Sequence, residues 1–143
     1  MIVDVRIVGR DETFAREICA CADESLRVRW RSKVTELIEE MRESRVHIIV
    51  LDRDPEDTSA LEALRQIRQF DAKNDAVILM VSKRAEHIDR IVAFEVGADD
   101  FVPYPTSFRE LSLRLRALCR RVHDVSEATD AFTGRTTFDQ SAK

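Results

Sequence analysis

The sequence predicts an α/β protein, a doubly wound five-stranded parallel sheet with helices on both faces. Three observations carry this. Val46-His47-Ile48-Ile49-Val50-Leu51 and Ala76-Val77-Ile78-Leu79-Met80-Val81 are nearly continuous apolar, β-branched runs, the pattern of strands covered on both sides. Each is followed by apolar residues at helical spacing. The strand-then-helix alternation repeats five times within residues 3–122, and such alternation requires right-handed crossovers and a parallel sheet.

The elements follow in order. Val5-Arg6-Ile7-Val8 forms a short first strand, and Phe14, Ile18, Cys21 and Ala22 then recur at helical spacing. Arg27-Val28-Arg29-Trp30 alternates, as a half-exposed edge strand does. Val34, Leu37, Ile38 and Met41 mark a second helix. The third strand ends at Asp52, and its His47, alternating with apolar residues, reads as structural. Leu61, Leu64, Ile67 and Arg68 lie on the next helix, opened by a capping box of Ser59 and Glu62. After the fourth strand, Ile88, Ile91, Val92 and Phe94 mark a helix that Gly97 can stop. Phe101-Val102 is a brief last strand. A helix from about Thr106 to Val122 carries the stripe Leu111, Leu115, Leu118, Val122, with Ser107 and Glu110 as its capping box. Residues 1–122 thus read as one domain with flavodoxin-like strand order. From His123 the chain turns polar, and residues 123–143 read as a linker in which Phe132–Asp139 alternates weakly.

Composition bounds the function. The 143 residues hold 27 acids and 23 bases, a net charge of -4, which gives no electrostatic footprint for nucleic acid within this chain. A hydrophobic fraction of 44% and a charged fraction of 35% fit a soluble globular domain. No apolar run approaches the roughly 20 residues of a membrane span, and Met1-Ile2-Val3-Asp4-Val5-Arg6 has no signal-peptide pattern, so a cytoplasmic protein without a membrane partner is expected. Cys19, Cys21 and Cys119 lack zinc spacing. Cys19 and Cys119 fall at apolar helix positions and are expected as small buried hydrophobes, a redox sensor being the alternative.

In doubly wound sheets the chemistry sits at the carboxyl ends of the strands. Here those ends are Gly9-Arg10-Asp11-Glu12, Asp52, Ser82-Lys83 and Tyr104. An acidic cluster in that place suits Mg²⁺, which prefers carboxylate, carbonyl and water oxygens. A phosphoryl group on Asp52 would add about -1.5 to -2 charges, to be met by a metal, backbone N–H groups and a cation, with a nearby hydroxyl reading out the new oxygen.

The stretch Glu95-Val96-Gly97-Ala98-Asp99-Asp100-Phe101-Val102-Pro103-Tyr104-Pro105 resembles the "GADDY-hydrophobic-x-Lys-Pro" signature of response-regulator receiver domains, and the resemblance extends over residues 3–122. It implies a receiver fold in which Asp52 is the phospho-acceptor, Asp11 the acid that touches Mg²⁺, and Asp54 the source of a metal-binding carbonyl. It makes Ser82 the switch hydroxyl and Phe101 the aromatic rotamer switch, and sets Lys83 beside the route of the phosphodonor. The domain would be no enzyme, beyond self-phosphorylation at Asp52. Two residues depart from the family pattern. Tyr104 stands where the signature has Lys; losing an ammonium about 4 Å from a phosphoryl forfeits on the order of 4 kcal/mol at an effective dielectric near 20. Arg10 stands where the first acid of the metal-binding pair is expected, and would sit in the metal's place by pairing with Asp52 or Asp11. The family's cis Lys-Pro bond makes Tyr104-Pro105 a cis expectation.

The fourth helix, fifth strand and fifth helix resemble the OmpR/PhoB-type subfamily, whose members form symmetric dimers through this face. Carried over by position, the pairs between subunits are Arg90 with Glu110, Glu95 with Arg116, Asp99 with Arg121 and Asp100 with Arg114, around an apolar centre of Ile91, Phe94 and Leu113. Phe132–Asp139 resembles the first strand of the winged-helix DNA-binding domain that follows the linker in these regulators. The expectation is an atypical receiver that forms a homodimer to control a transcription-factor output, with phosphorylation weak or dispensable. A histidine kinase is the implied partner, and DNA would be met only through a domain outside this chain. Two alternatives stay open: a functional phospho-acceptor at Asp52, and a stand-alone protein-interaction pseudo-receiver.

Overall fold

A computed structural model describes the backbone of residues 1–73, 75–83 and 87–139, and side chains outside 74, 84–89 and 126–143. The elements run β1 (Val3–Val8), α1 (Thr13–Cys21), β2 (Leu26–Arg31), α2 (Val34–Glu43), β3 (Ile48–Asp52), α3 (Ala60–Phe70), β4 (Val77–Ser82), α4 (His87–Val96), β5 (Asp100–Pro103) and α5 (Phe108–Asp139). The strands form one parallel sheet in the order β2-β1-β3-β4-β5, the doubly wound arrangement expected.

Strand periodicity divides the core. Ile48, Val50, Leu79 and Val81 face α1 and α5, where they meet Phe14, Ile18, Leu111, Leu115 and Leu118. Ile49, Leu51, Ile78 and Met80 face α2, α3 and α4, where they meet Val34, Leu37, Leu64, Ile67 and Ala93. Alternate side chains project to opposite faces, so β3 and β4, lying inside the sheet, are apolar up to their last residues, Asp52 and Ser82, whereas β2 at the edge is only half-buried. Each fully buried Leu or Ile contributes roughly 1.5–3 kcal/mol, which makes these two layers the main stabilising term.

The helix signals hold where they were read. The Ser59 hydroxyl accepts the Glu62 N–H at 3.2 Å, and the Ser107 hydroxyl accepts the Glu110 N–H at 3.0 Å. A third cap comes from a distance, since the Asp57 carboxylate accepts the Val34 and Thr35 N–H groups that open α2 at 3.0 and 3.2 Å. Gly97, with φ of 136°, ends α4. There the Arg68 guanidinium is almost enclosed and donates to the Gly97 and Ala76 carbonyls and to Asp99 and Asp71. His47 is structural in the expected sense: its Nδ1 accepts the Asp4 N–H at 3.0 Å while its backbone N–H donates to the Asp4 carbonyl at 3.0 Å.

Two expectations change. The linker and weak strand read over residues 123–139 are helical, because α5 continues to Asp139; no proline interrupts this stretch, and a started helix propagates more readily than it nucleates. Cys19 and Cys21 are exposed, since the last turn of α1 flanks the sheet edge, and only Cys119 is partly enclosed. The Cys119 thiol is pushed up by that burial. Within the apolar layer Arg6 is 3% exposed, and Glu40 accepts from both it and Arg31, a half-buried network with no counterpart in the strand pattern. Ile88 of the α4 stripe lies outside the described side chains.

Candidate functional site

The strand register brings the carboxyl ends of β1, β3, β4 and β5 to one edge. Asp52 pairs in register with Val81, Ser82 with Pro103, and the Tyr104 N–H donates to the Ser82 carbonyl at 2.7 Å. Gly9 follows β1 at the point where it approaches β3 most closely. A Cβ there would fall inside contact distance of the Asp52 carbonyl oxygen, with the Asp52 Cβ at 3.2 Å. The missing side chain is what lets the chain after β1 lie this close to Asp52.

Asp52 is 3% exposed, and a buried carboxylate is tolerated only when paired. Its partner is Arg53, the next residue. Nε donates to Oδ1 at 3.0 Å and Nη2 to Oδ2 at 3.2 Å. The same Nη2 lies 3.6 Å from the Asp11 carboxylate, and the guanidinium carbon stands 4.0 Å from the centre of the Tyr104 ring. Neighbouring residues on a strand point to opposite faces, but Arg53 has φ of 63°, and this left-handed turn folds its side chain back over the residue before it. Arg53 binds its proton more tightly than usual, chiefly through the bond to Asp52. The Asp11 carboxyl is held below the ordinary range, first by the Thr13 hydroxyl and N–H and more weakly by Arg53.

Arg10 was expected to pair with Asp52 or Asp11; it is exposed and, among the described residues, pairs with neither. Arg53 takes that part. The Asp54 carboxylate accepts the Ala60 N–H at 2.7 Å and so caps α3. Ser82 is half-buried, Phe101 is buried with the Arg90 guanidinium 5.8 Å from its ring centre, and Lys83 is exposed. A cleft of about 330 Å³ beside the site is bordered by Arg53, Asp54, Ser82, Lys83 and Phe101. The Tyr104-Pro105 bond is cis, as expected. The structure therefore gathers Asp11, Asp52 and Tyr104 around Arg53, and places Ser82, Lys83 and Phe101 on the adjoining cleft.

A Mg²⁺ ion, which the resemblance implies here, does not fit this arrangement. Mg²⁺ needs near-ideal octahedral oxygen coordination, yet both oxygens of Asp52 accept from Arg53 and Asp11 faces the same guanidinium.

On the face of α4, β5 and α5, Ile91, Phe94 and Leu113 are 43%, 44% and 49% exposed. Two of the charge pairs expected between subunits are formed here within one chain. Asp100 accepts from Arg114 at 2.9 and 3.0 Å, and Asp99 lies 3.9 Å from Arg121 while also accepting from Arg68. Glu110 pairs with Arg114 along α5. Glu95 and Arg116 are exposed and, among the described residues, without an ion pair; Arg116 borders the cleft on the α1 side of α5. No helix among the described residues is long and apolar enough to cross a membrane.

A five-stranded sheet of this order, with carboxylates gathered at the ends of its first and third strands, is the architecture of a receiver domain. Residues 5–116 match the response regulator receiver domain family, and the chain belongs to it. It is 37% identical over 89 residues to the sensory transduction protein RegX3 of Mycolicibacterium smegmatis, covering 62% of this chain and 38% of that protein. It is 30% identical over 130 residues to the phosphate regulon transcriptional regulatory protein PhoB of Pseudomonas aeruginosa, covering 85% and 54%. The solved receiver domain of the TMAO respiratory system response regulator TorR is 31% identical, with a TM-score of 0.66, over 83% of this chain and 98% of that one. The chain spans about half, or less, of the length of these curated relatives.

Proposed function

We propose that this domain is the receiver of an OmpR/PhoB-type response regulator that pairs with a second copy through α4, β5 and α5, with phosphorylation of Asp52 weak or dispensable. The output would be transcriptional, through a DNA-binding domain outside this chain, and the upstream partner a histidine kinase. The observation that carries the reading is the condition of Asp52: its attacking oxygens already accept two charge-assisted hydrogen bonds from Arg53, and Tyr104 offers no second cation to an incoming phosphoryl group. Ser82, Lys83 and Phe101 would form the remnant of the switch pocket.

Pairing is supported by Ile91, Phe94 and Leu113, three large apolar side chains exposed on the same face. Arg90, Glu95 and Arg116 would supply charge at its rim. Asp99, Asp100, Glu110, Arg114 and Arg121 would exchange their internal bonds for equivalent ones across a twofold axis, an exchange that sets register more than affinity. Pairing would then bias the active conformation without a phosphoryl ligand.

Sedimentation and intact mass, with and without acetyl phosphate and Mg²⁺, test this in wild type and Asp52→Asn. The expected outcome is a dimer in every condition with no stoichiometric mass gain. A gain of one phosphoryl group that is lost in Asp52→Asn, with pairing dependent on it, would establish the functional phospho-acceptor instead; a monomer throughout would favour the stand-alone interaction module.

A further inference from the structure

We infer that Arg53 is the resident cation of the Asp11–Asp52 pocket: it excludes a divalent metal from that position, and its removal leaves a pocket that takes one. The inference rests on the reading of this pocket as the receiver's phosphorylation pocket.

The geometry is that of a filled cation site. Two N–H groups of one guanidinium meet both oxygens of Asp52, and one of them also faces Asp11. The Tyr104 ring closes the remaining side at 4.0 Å. A divalent ion bridging the two carboxylates would have to stand where the guanidinium stands. Because Arg53 is covalently adjacent to Asp52, its charge is held at the carboxylate as an intramolecular partner. The two cations would also repel each other at such short range.

The aim of the side chain is built in. A non-glycine residue at φ of 63° is uncommon, and without that turn Arg53 would project to the opposite side of β3. Arg10 does not compete for the carboxylates, being exposed with no ion pair among the described residues. Removing the guanidinium leaves two carboxylates facing one space with the cleft of Ser82 and Lys83 open beside it.

The test titrates Mn²⁺ into the whole chain and follows the free Mn²⁺ signal by electron paramagnetic resonance, with Mg²⁺ as competitor. Wild type, Arg53→Gly, Arg53→Ala, Asp52→Asn and the double variant Asp52→Asn/Arg53→Gly are compared. Glycine suits the left-handed backbone at this position, and far-UV circular dichroism checks each fold. Arg53→Gly is expected to bind one Mn²⁺ per chain at least ten times more tightly than wild type, with Arg53→Ala following it and the double variant losing the site. Saturable binding by wild type that equals Arg53→Gly and is lost in Asp52→Asn overturns the inference, as does failure of both folded Arg53 variants to bind. Neither result bears on the sedimentation experiment that tests pairing, so a wild type that binds Mn²⁺ yet pairs without a phosphodonor removes this inference and leaves the pairing intact.

Discussion

The guanidinium of Arg53 lies across the carboxylate of Asp52, with Nε and Nη2 at 3.0 and 3.2 Å from its two oxygens. Two residues adjacent in sequence thus form the ion pair that accounts for a carboxylate 3% exposed. Removing either partner of such a pair strands the other, whereas removing both does not. Arg53→Ala and Asp52→Asn are each expected to lower stability, and the double variant to lose less than their sum, with a coupling of about 1–3 kcal/mol. Urea unfolding of the four proteins measures it. Additive losses would mean that the contact holds nothing in place.

That pair was not legible in the sequence, although most of the fold was. The buried runs at β3 and β4, the alternation at β2 and the apolar stripes of the helices follow from periodicity, which local spacing records directly. Asp11, Asp52, Ser82 and Tyr104 were found because strand ends in a doubly wound sheet converge by topology. Arg53 escaped because strand alternation sends it to the far face, and only the left-handed turn at its own α-carbon reverses that. Attention fell on Arg10 for its place in the family pattern, yet the loop after β1 carries it into solvent. The Arg6–Glu40–Arg31 network was hidden for a related reason: an arginine inside an apolar run looks like an interruption until a partner from α2 is placed over it.

His47 couples stability to pH. Its Nδ1 accepts the Asp4 N–H and must be unprotonated to do so. Burial, followed by the charge of Arg45, lowers its pKa, with Asp4 opposing. The unfolded chain, with an ordinary value near 6.5, therefore takes up a proton before the folded one does. Stability from this site is complete above that value and falls as pH drops below it. Unfolding midpoints between pH 7.5 and 5.5 should decline in wild type and flatten in His47→Asn, whose amide oxygen can still accept the Asp4 N–H. An unchanged slope in the variant would assign the dependence to other groups.

Leu113 and Phe94 should govern association more than folding. Both are exposed at positions where a polar side chain would remain hydrated, so Leu113→Lys and Phe94→Lys are expected to change unfolding free energy by about 0.5 kcal/mol or less, the range of ordinary surface substitutions. If the face pairs two copies, each change appears twice in the interface, and the dimer should weaken by at least tenfold. Sedimentation equilibrium read beside thermal unfolding separates the two effects. A variant that loses stability as a monomer would show these side chains packing within the chain instead.

Gly9 is where fold and site meet. Its β-carbon, if present, would collide with backbone of Asp52, and β1 and β3 can separate only at a cost in packing, because Val8 and Leu51 are paired in register and wholly buried. A rotamer change cannot relieve a clash with a carbonyl oxygen. Gly9→Ala should therefore force the ends of the two strands apart, at a cost of about 1–3 kcal/mol, as other overpacked sites do. The displacement would carry Asp11 and its loop away from Asp52 while leaving the Asp52–Arg53 pair, which is local to one strand end, largely intact. The variant should then show the Arg53-centred cluster losing its Asp11 arm: the Asp11 carboxyl, held low in part by Arg53, should rise toward its ordinary value when followed by carbon-detected NMR titration. Retention of both wild-type stability and the Asp11 titration would show that the chain at residue 9 has room that its contacts deny.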